Sequence, residues 1–133
     1  MRSRRQYKSL TARLRERGSV SLEAAVVMPA LLALLWLGMQ GALMYQGRTT
    51  ALAAAQEGAR VAAGENGTAS AGIAAAEDLA DAATLGLRGT QVDGSRSATE
   101  ASVTVRLHIA SVVPGWDPWI TQSASMPVER ITG

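Results

Sequence analysis

Twenty-two consecutive residues, Ala24 to Tyr45, carry no charge, and in a chain of 133 residues nothing else limits the possible folds as severely. As a helix this run rises about 33 Å, enough to cross a hydrocarbon core of about 30 Å. Its centre is Leu31-Leu32-Ala33-Leu34-Leu35-Trp36-Leu37, Gln40 is its only strongly polar side chain, and Tyr45 suits an interfacial position at its far end. A soluble core helix is the competing reading, but so short a chain has too little protein to surround such a run. Pro29 removes one helix hydrogen bond and crowds the carbonyl of Ala25, so a kink is expected there, of a kind membrane helices tolerate. Gly38 and Ala42 form a small-xxx-small pair, too common to carry weight alone.

Charge is distributed unevenly about this run. Residues 1–17 hold seven Arg/Lys against Glu16 alone, whereas residues 46–133 hold six Arg against nine Asp/Glu. The positive-inside rule therefore keeps the N-terminus cytoplasmic and sends the remainder across the membrane. Anionic headgroups hold such a basic segment at the surface, which accounts for it without a nucleic acid. Two signal-peptide readings fit less well. Ser3-Arg4-Arg5-Gln6-Tyr7 has twin arginines, but Lys8 stands where an apolar residue is needed; Ala53-Ala54-Ala55 could be cleaved, but lies beyond Arg48. The chain has no cysteine, which excludes disulfides, thiolate metal sites and a thiol nucleophile.

Glu23 sits at the mouth of the apolar run, five residues after Gly18, and a carboxylate there needs a reason. The stretch Arg17-Gly18-Ser19-Val20-Ser21-Leu22-Glu23-Ala24, continuing through Pro29 to Leu32, resembles the opening of TadE-like proteins of tight-adherence (Tad) pilus systems. Ala55-Gln56-Glu57-Gly58-Ala59-Arg60 is similar to the Ala-rich segment that follows their membrane span. Pro29, Glu57, Gly58 and Arg60 are the motif positions besides Gly18 and Glu23. The resemblance implies a minor pilin or pseudopilin-like subunit whose partners are the lipid bilayer, other pilin-like subunits, the Tad secretion machinery and a prepilin peptidase. It implies cleavage between Gly18 and Ser19, which would leave the new amine of Ser19 and the carboxylate of Glu23 at i and i+4 on one helical face. That pair would set register between subunits. Ser19 and Ala24 stand where related pilins often carry aromatics, a departure that bears on processing more than on membership. A second reading of Glu23 is a carboxylate in the first turn of the span, where the helix dipole favours it.

Beyond the run, the alanine-rich sequence predicts that the first helix continues to Ala63 and stops at Gly64-Glu65-Asn66-Gly67. Glu57-Gly58 reads as a tolerated interruption, and Glu57 with Arg60 as a solvated surface pair. A second helix is expected from Thr68 to Leu87, with Ala76, Leu79, Ala83 and Leu87 inward, Glu77, Asp78 and Asp81 outward, and Gly86 and Gly89 ending it. The acidic trio lacks the irregular oxygen-rich loop of a Ca²⁺ site. Alternation from Ala101 to Ile109 predicts a half-buried strand, Ile120–Ile131 a second strand with Pro127 confining it to an edge or a bulge, and Thr90–Asp93 a short third. Trp116 and Trp119 fall in a turn-rich loop and suit either packing or partner contact. His108, the only histidine, lies on the polar face, and no catalytic set or metal site can be assembled around it.

The expected fold is a membrane-anchored α+β chain: a basic cytoplasmic leader (1–18), a transmembrane helix (19–47) that continues outside, and an extracytoplasmic α+β domain (48–133) with a second helix and a small antiparallel β-sheet. The expected location is the bacterial cell membrane, single-pass. The expected function is non-enzymatic association within a Tad-type pilus or secretion apparatus, with no cofactor. A membrane-tethered binding module is the alternative, and a membrane-bound enzyme the third reading, for which the sequence offers no reaction.

Overall fold

The computed structural model describes residues 3–83 and 87–130, with side chains from Arg17 onward. The element order is α1 (Ser3–Ala63), α2 (Ala69–Ala82), β1 (Leu87–Arg96), β2 (Glu100–Ile109) and β3 (Trp119–Pro127). Two compact units divide the chain, Met1–Gly38 and Met39–Gly133. Among the described residues the first contains only helix, and from Arg17 to Gly38 every residue is exposed, including Leu31, Leu34 and Trp36. Of the described helices, α1 alone is long and apolar enough to cross a membrane.

The second unit is α+β. Its sheet is an antiparallel meander in the order β1-β2-β3, so β2 is central and both neighbours are edges. Alternation along β2 places Ala101, Val103, Val105, Leu107 and Ile109 on the buried face. The C-terminal half of α1 covers that face with a stripe of small residues, Gly47, Ala51, Ala54, Ala55, Gly58, Ala59, Ala62 and Ala63, at helical spacing. Helix and strand run antiparallel: a side chain at Gly47 would strike Ile109, whereas one at Gly58 would meet Val103. Alanine-rich helix surface explains how so small a domain buries a core without Phe. The helix backbone lies close to the sheet, and the valines, Leu107 and the isoleucines of the strands fill the space.

α2 starts at an N-cap: Ala71 N–H donates to Thr68 Oγ1 at 3.1 Å. It ends at Ala82, earlier than the sequence pattern suggests, because Ala83 leaves helical geometry and Leu87 already pairs with Ile109 in the sheet. Its inner face holds Ala76, with Leu79 packed beside it, as the pattern suggests, together with Gly72 and Ala80; Ala83 and Leu87 lie beyond the helix. Gly89 lies in β1 and does not end the helix; Gly86 lies outside the described residues.

β1 is longer than Thr90–Asp93 because its alternation is concealed. Val92, Gly94 and Arg96 face the helices while Gln91, Asp93 and Ser95 face outward, and neither Gly94 nor Arg96 looks like a core residue. β3 ends at Pro127 and is an edge strand, as its proline requires; Ile131 lies outside the described residues.

Candidate functional site

Gly18, Ser19 and Glu23 all lie within α1, exposed, and nothing approaches within 4 Å of the position a Gly18 Cβ would take. Ser19 and Glu23 are one turn apart on the same helical face. Pro29 lies inside the same helix. The chemistry of this segment is that of a bare apolar surface with a single carboxylate near its start, which in water would be a large exposed patch.

The second group of motif residues serves the fold. Arg60 Nε donates to Glu57 Oε2 at 2.9 Å and Arg60 Nη2 to Glu57 Oε1 at 2.6 Å, a two-point ion pair on the exposed side of α1. The hydrogen bond from Arg60, ahead of its charge, holds the Glu57 carboxyl below the usual carboxylate range. Gly58, between them, is not an interruption. A Cβ there would lie 2.7 Å from the Gly72 carbonyl oxygen and 3.0 Å from both Ala76 Cβ and Val103 Cγ1. Gly72 reciprocates, with the Gly58 carbonyl oxygen 2.6 Å from its own hypothetical Cβ. The two glycines let α1 and α2 touch backbone to backbone over the sheet.

Two side chains that sequence reasoning left without a role fix the ends of this packing. Arg96, inside the polar stretch after Val92, turns toward the helices, and its Nη1 reaches the carbonyls of Ala62 (2.6 Å), Gly64 (2.9 Å) and Gly67. It thus satisfies the carbonyls at and just beyond the C-terminus of α1 and places positive charge at the negative end of the helix dipole. Arginine in a strand gives no sequence sign of such a cap 29 to 34 residues away. Gln40 is only 3% exposed, and its Oε1 accepts a hydrogen bond from Val112 N–H at 2.8 Å, while its Nε2 has no partner. Its polarity in an otherwise apolar run was the available signal.

The outer face of the sheet is open and rich in hydroxyls. Thr104 bonds Ser123 (2.8 Å) and Ser95 bonds Ser102 (2.9 Å) across strands. At one end the His108 and Trp119 rings stack, with centroids 4.6 Å apart and planes 6° from parallel, and Asp117 pairs with His108 Nε2. Glu77, Asp78 and Asp81 are exposed, and among the described residues no group of His, Asp or Glu is arranged to hold a metal.

The structure therefore defines a class: a long apolar helix with a bare first part, whose second part is built into a small α+β domain. Residues 18–60 match the family model described as TadE-like protein, so the chain carries a TadE-like segment over 43 of its 133 residues. That segment holds Gly18, Glu23, Pro29, Glu57, Gly58 and Arg60 and stops short of α2 and the sheet. No curated protein and no solved structure matches the chain.

Proposed function

We propose that this chain is a non-enzymatic, membrane-anchored, pilin-like component of Tad-type pilus assembly or secretion, acting through protein–protein association. The observation that carries the reading is the coincidence of the TadE-like match at 18–60 with an α1 surface that is bare from Val20 to Met39 and, from Ala24 on, free of charge. Such a surface is stable in lipid or against other apolar helices, and the arginines before it favour a cytoplasmic N-terminus in a bacterial cell membrane. Glu23 would pair with the amine of Ser19, after cleavage behind Gly18 by a prepilin peptidase, in the same or a neighbouring subunit. The partners are then the bilayer, other pilin-like subunits and the Tad machinery.

A tethered binding module remains the second reading, because Trp119 is 47% exposed on the open sheet face beside Gln91, Arg106 and Thr121. Complementation of a deletion strain separates the two. On the assembly reading Glu23→Ala abolishes piliation while the protein stays in the membrane, and Trp119→Ala leaves piliation intact. Normal piliation with Glu23→Ala and with the whole chain deleted would remove the assembly role. Intact-mass measurement tests processing: retention of residues 1–18 in the mature protein removes it.

A further inference from the structure

The β2–β3 connection, residues 110–118, is an ordered projection. Val113-Pro114-Gly115-Trp116 forms a tight turn in which Trp116 N–H donates to Val113 O at 3.3 Å and Gly115 takes φ +77°, the proline-then-glycine pattern of a type II turn. Ser111 braces the turn: its Oγ donates to Val113 O and accepts from Val113 N–H, both at 3.0 Å. Ile109 N–H bonds Pro118 O at 3.0 Å and closes the base.

Two features of this projection ask for an explanation. Its tip, Val112-Val113-Pro114-Gly115-Trp116, carries no charge, and Trp116 is 48% exposed at its end. The projection is also tied to α1 at Gln40, through the Val112 N–H, and Gln40 belongs to the charge-free run from Ala24 to Tyr45. An exposed apolar turn is thus held alongside helix that is itself too apolar for water. The hydrogen bond satisfies the Gln40 carbonyl within the domain, while its buried Nε2 has no partner.

We infer that the 112–116 turn enters the headgroup zone of the bilayer through which α1 passes, with Trp116 as a second lipid anchor beside the helix. This rests on the membrane reading above and adds a contact to it. A tryptophan at the water–hydrocarbon boundary places its ring among the upper acyl chains and its N–H among headgroups, and the turn ahead of it needs no desolvation of charge. Asp117 follows immediately; it pairs with His108 but stays 70% exposed, so its carboxylate keeps to the aqueous side of the headgroups. The domain would then be held to the surface at two places, α1 and the turn, which removes its freedom to rotate about the helix axis.

Full-length chain in phospholipid nanodiscs tests this with brominated lipids that quench tryptophan at shallow or deep acyl positions. The variant W36F/W119F leaves Trp116 alone, and W116F/W119F leaves Trp36 alone. Trp36 is expected to be quenched most by the deep label and Trp116 most by the shallow one. Trp116 unquenched by either label, with Trp36 quenched, overturns the loop contact while leaving the span intact. Trp36 unquenched overturns the span and the loop contact together. A second measurement keeps both tryptophans of the domain: because the chain has no native cysteine, Pro114→Cys and Ser95→Cys each supply a unique thiol. Pro114→Cys should react with a water-soluble maleimide more slowly in nanodiscs than in detergent, and Ser95→Cys at the same rate in both. Equal rates for Pro114→Cys would overturn the proposal.

Discussion

Replacing Gly58 by alanine should destabilise the domain even though it improves the helix. Alanine in place of an interior glycine favours the helix by about 1 kcal/mol. Against this, the new methyl would lie 2.7 Å from a backbone oxygen of Gly72 and 3.0 Å from Ala76 Cβ and Val103 Cγ1. The first of these is main chain, Ala76 has no side-chain torsion to turn, and Val103 is β-branched and fully buried, so its χ1 has little freedom. α2 must therefore shift off α1, and overpacking of this kind costs about 1–3 kcal/mol. With three contacts too close at once the upper end applies, and the net loss is about 2 kcal/mol, a substantial part of the 5–15 kcal/mol typical of a domain. In a domain of under a hundred residues that lowers Tm on the order of 10 °C. The assay is a denaturant titration of full-length protein in micelles, followed by domain tryptophan fluorescence in a W36F background. Gly41→Ala is the control, since nothing lies within 4 Å of its Cβ position, and it should cause no loss. Gly72→Ala should be at least as damaging as Gly58→Ala, because its Cβ would meet the Gly58 carbonyl oxygen at 2.6 Å and Ala62 Cβ at 2.7 Å. A Gly58→Ala midpoint equal to or above wild type would refute the backbone contact between the helices.

Other consequences are smaller or more local. Arg96→Met keeps the stem but strips the carbonyls of Ala62, Gly64 and Gly67 of their donor, and should cost about 1–3 kcal/mol, with faster amide exchange in residues 60–67; unchanged exchange would remove the cap. Thr68→Ala removes the N-cap of α2 and should cost about 1 kcal/mol in the same titration, with Thr68→Ser recovering most of it. The Glu57 carboxyl is held low in the folded state, so its contribution to stability is full above the ordinary carboxylate value of 4.5 and is lost as pH falls through the lowered one. Stability measured from pH 6 downward should therefore fall less steeply in Glu57→Gln than in wild type; parallel curves would show that the ion pair with Arg60 adds nothing.

How much of this could be read in advance depended on whether a residue's partner was near in sequence. α1 to Ala63 and the strand at 101–109 follow from local pattern, alanine content in one case and strict alternation in the other, and the structure has both. The extent of β1 was hidden because its inward positions include Gly94 and Arg96. Gly94 is small because Ile73 of α2 lies over it, at 2.9 Å from its hypothetical Cβ, and Arg96 turns inward because the end of α1 is there. Both reasons are tertiary. Gly58 was misread as an interruption for the same cause: its neighbour across the contact, Gly72, is 14 residues away and on another helix. The motif residues Glu57 and Arg60 were legible as a pair because they are one helical turn apart.

The position of Gln40 bears on where a bilayer could sit. From Gln40 onward α1 is part of the domain, since Gln40 and Gly47 are buried and Leu43 and Met44 partly so. Twenty residues of bare helix, Val20 to Met39, precede it, apolar but for Ser21 and Glu23, and rise about 30 Å, the thickness of a hydrocarbon core. Counted from Ala24 the same stretch has sixteen residues and rises only about 24 Å. On the membrane reading, then, the boundary the domain imposes at Gln40 leaves two choices: a bilayer thinned locally by several ångströms, or Glu23 drawn one turn below the hydrocarbon edge. The second choice strands a carboxylate in lipid unless a cation meets it. An amine at Ser19, were the chain cleaved after Gly18, would be a cation on the correct face and one turn away. If α1 does span a bilayer, burial of Gln40 at one end would give Glu23 at the other a physical need for a cation, and an uncleaved chain would be the less comfortable occupant of that membrane.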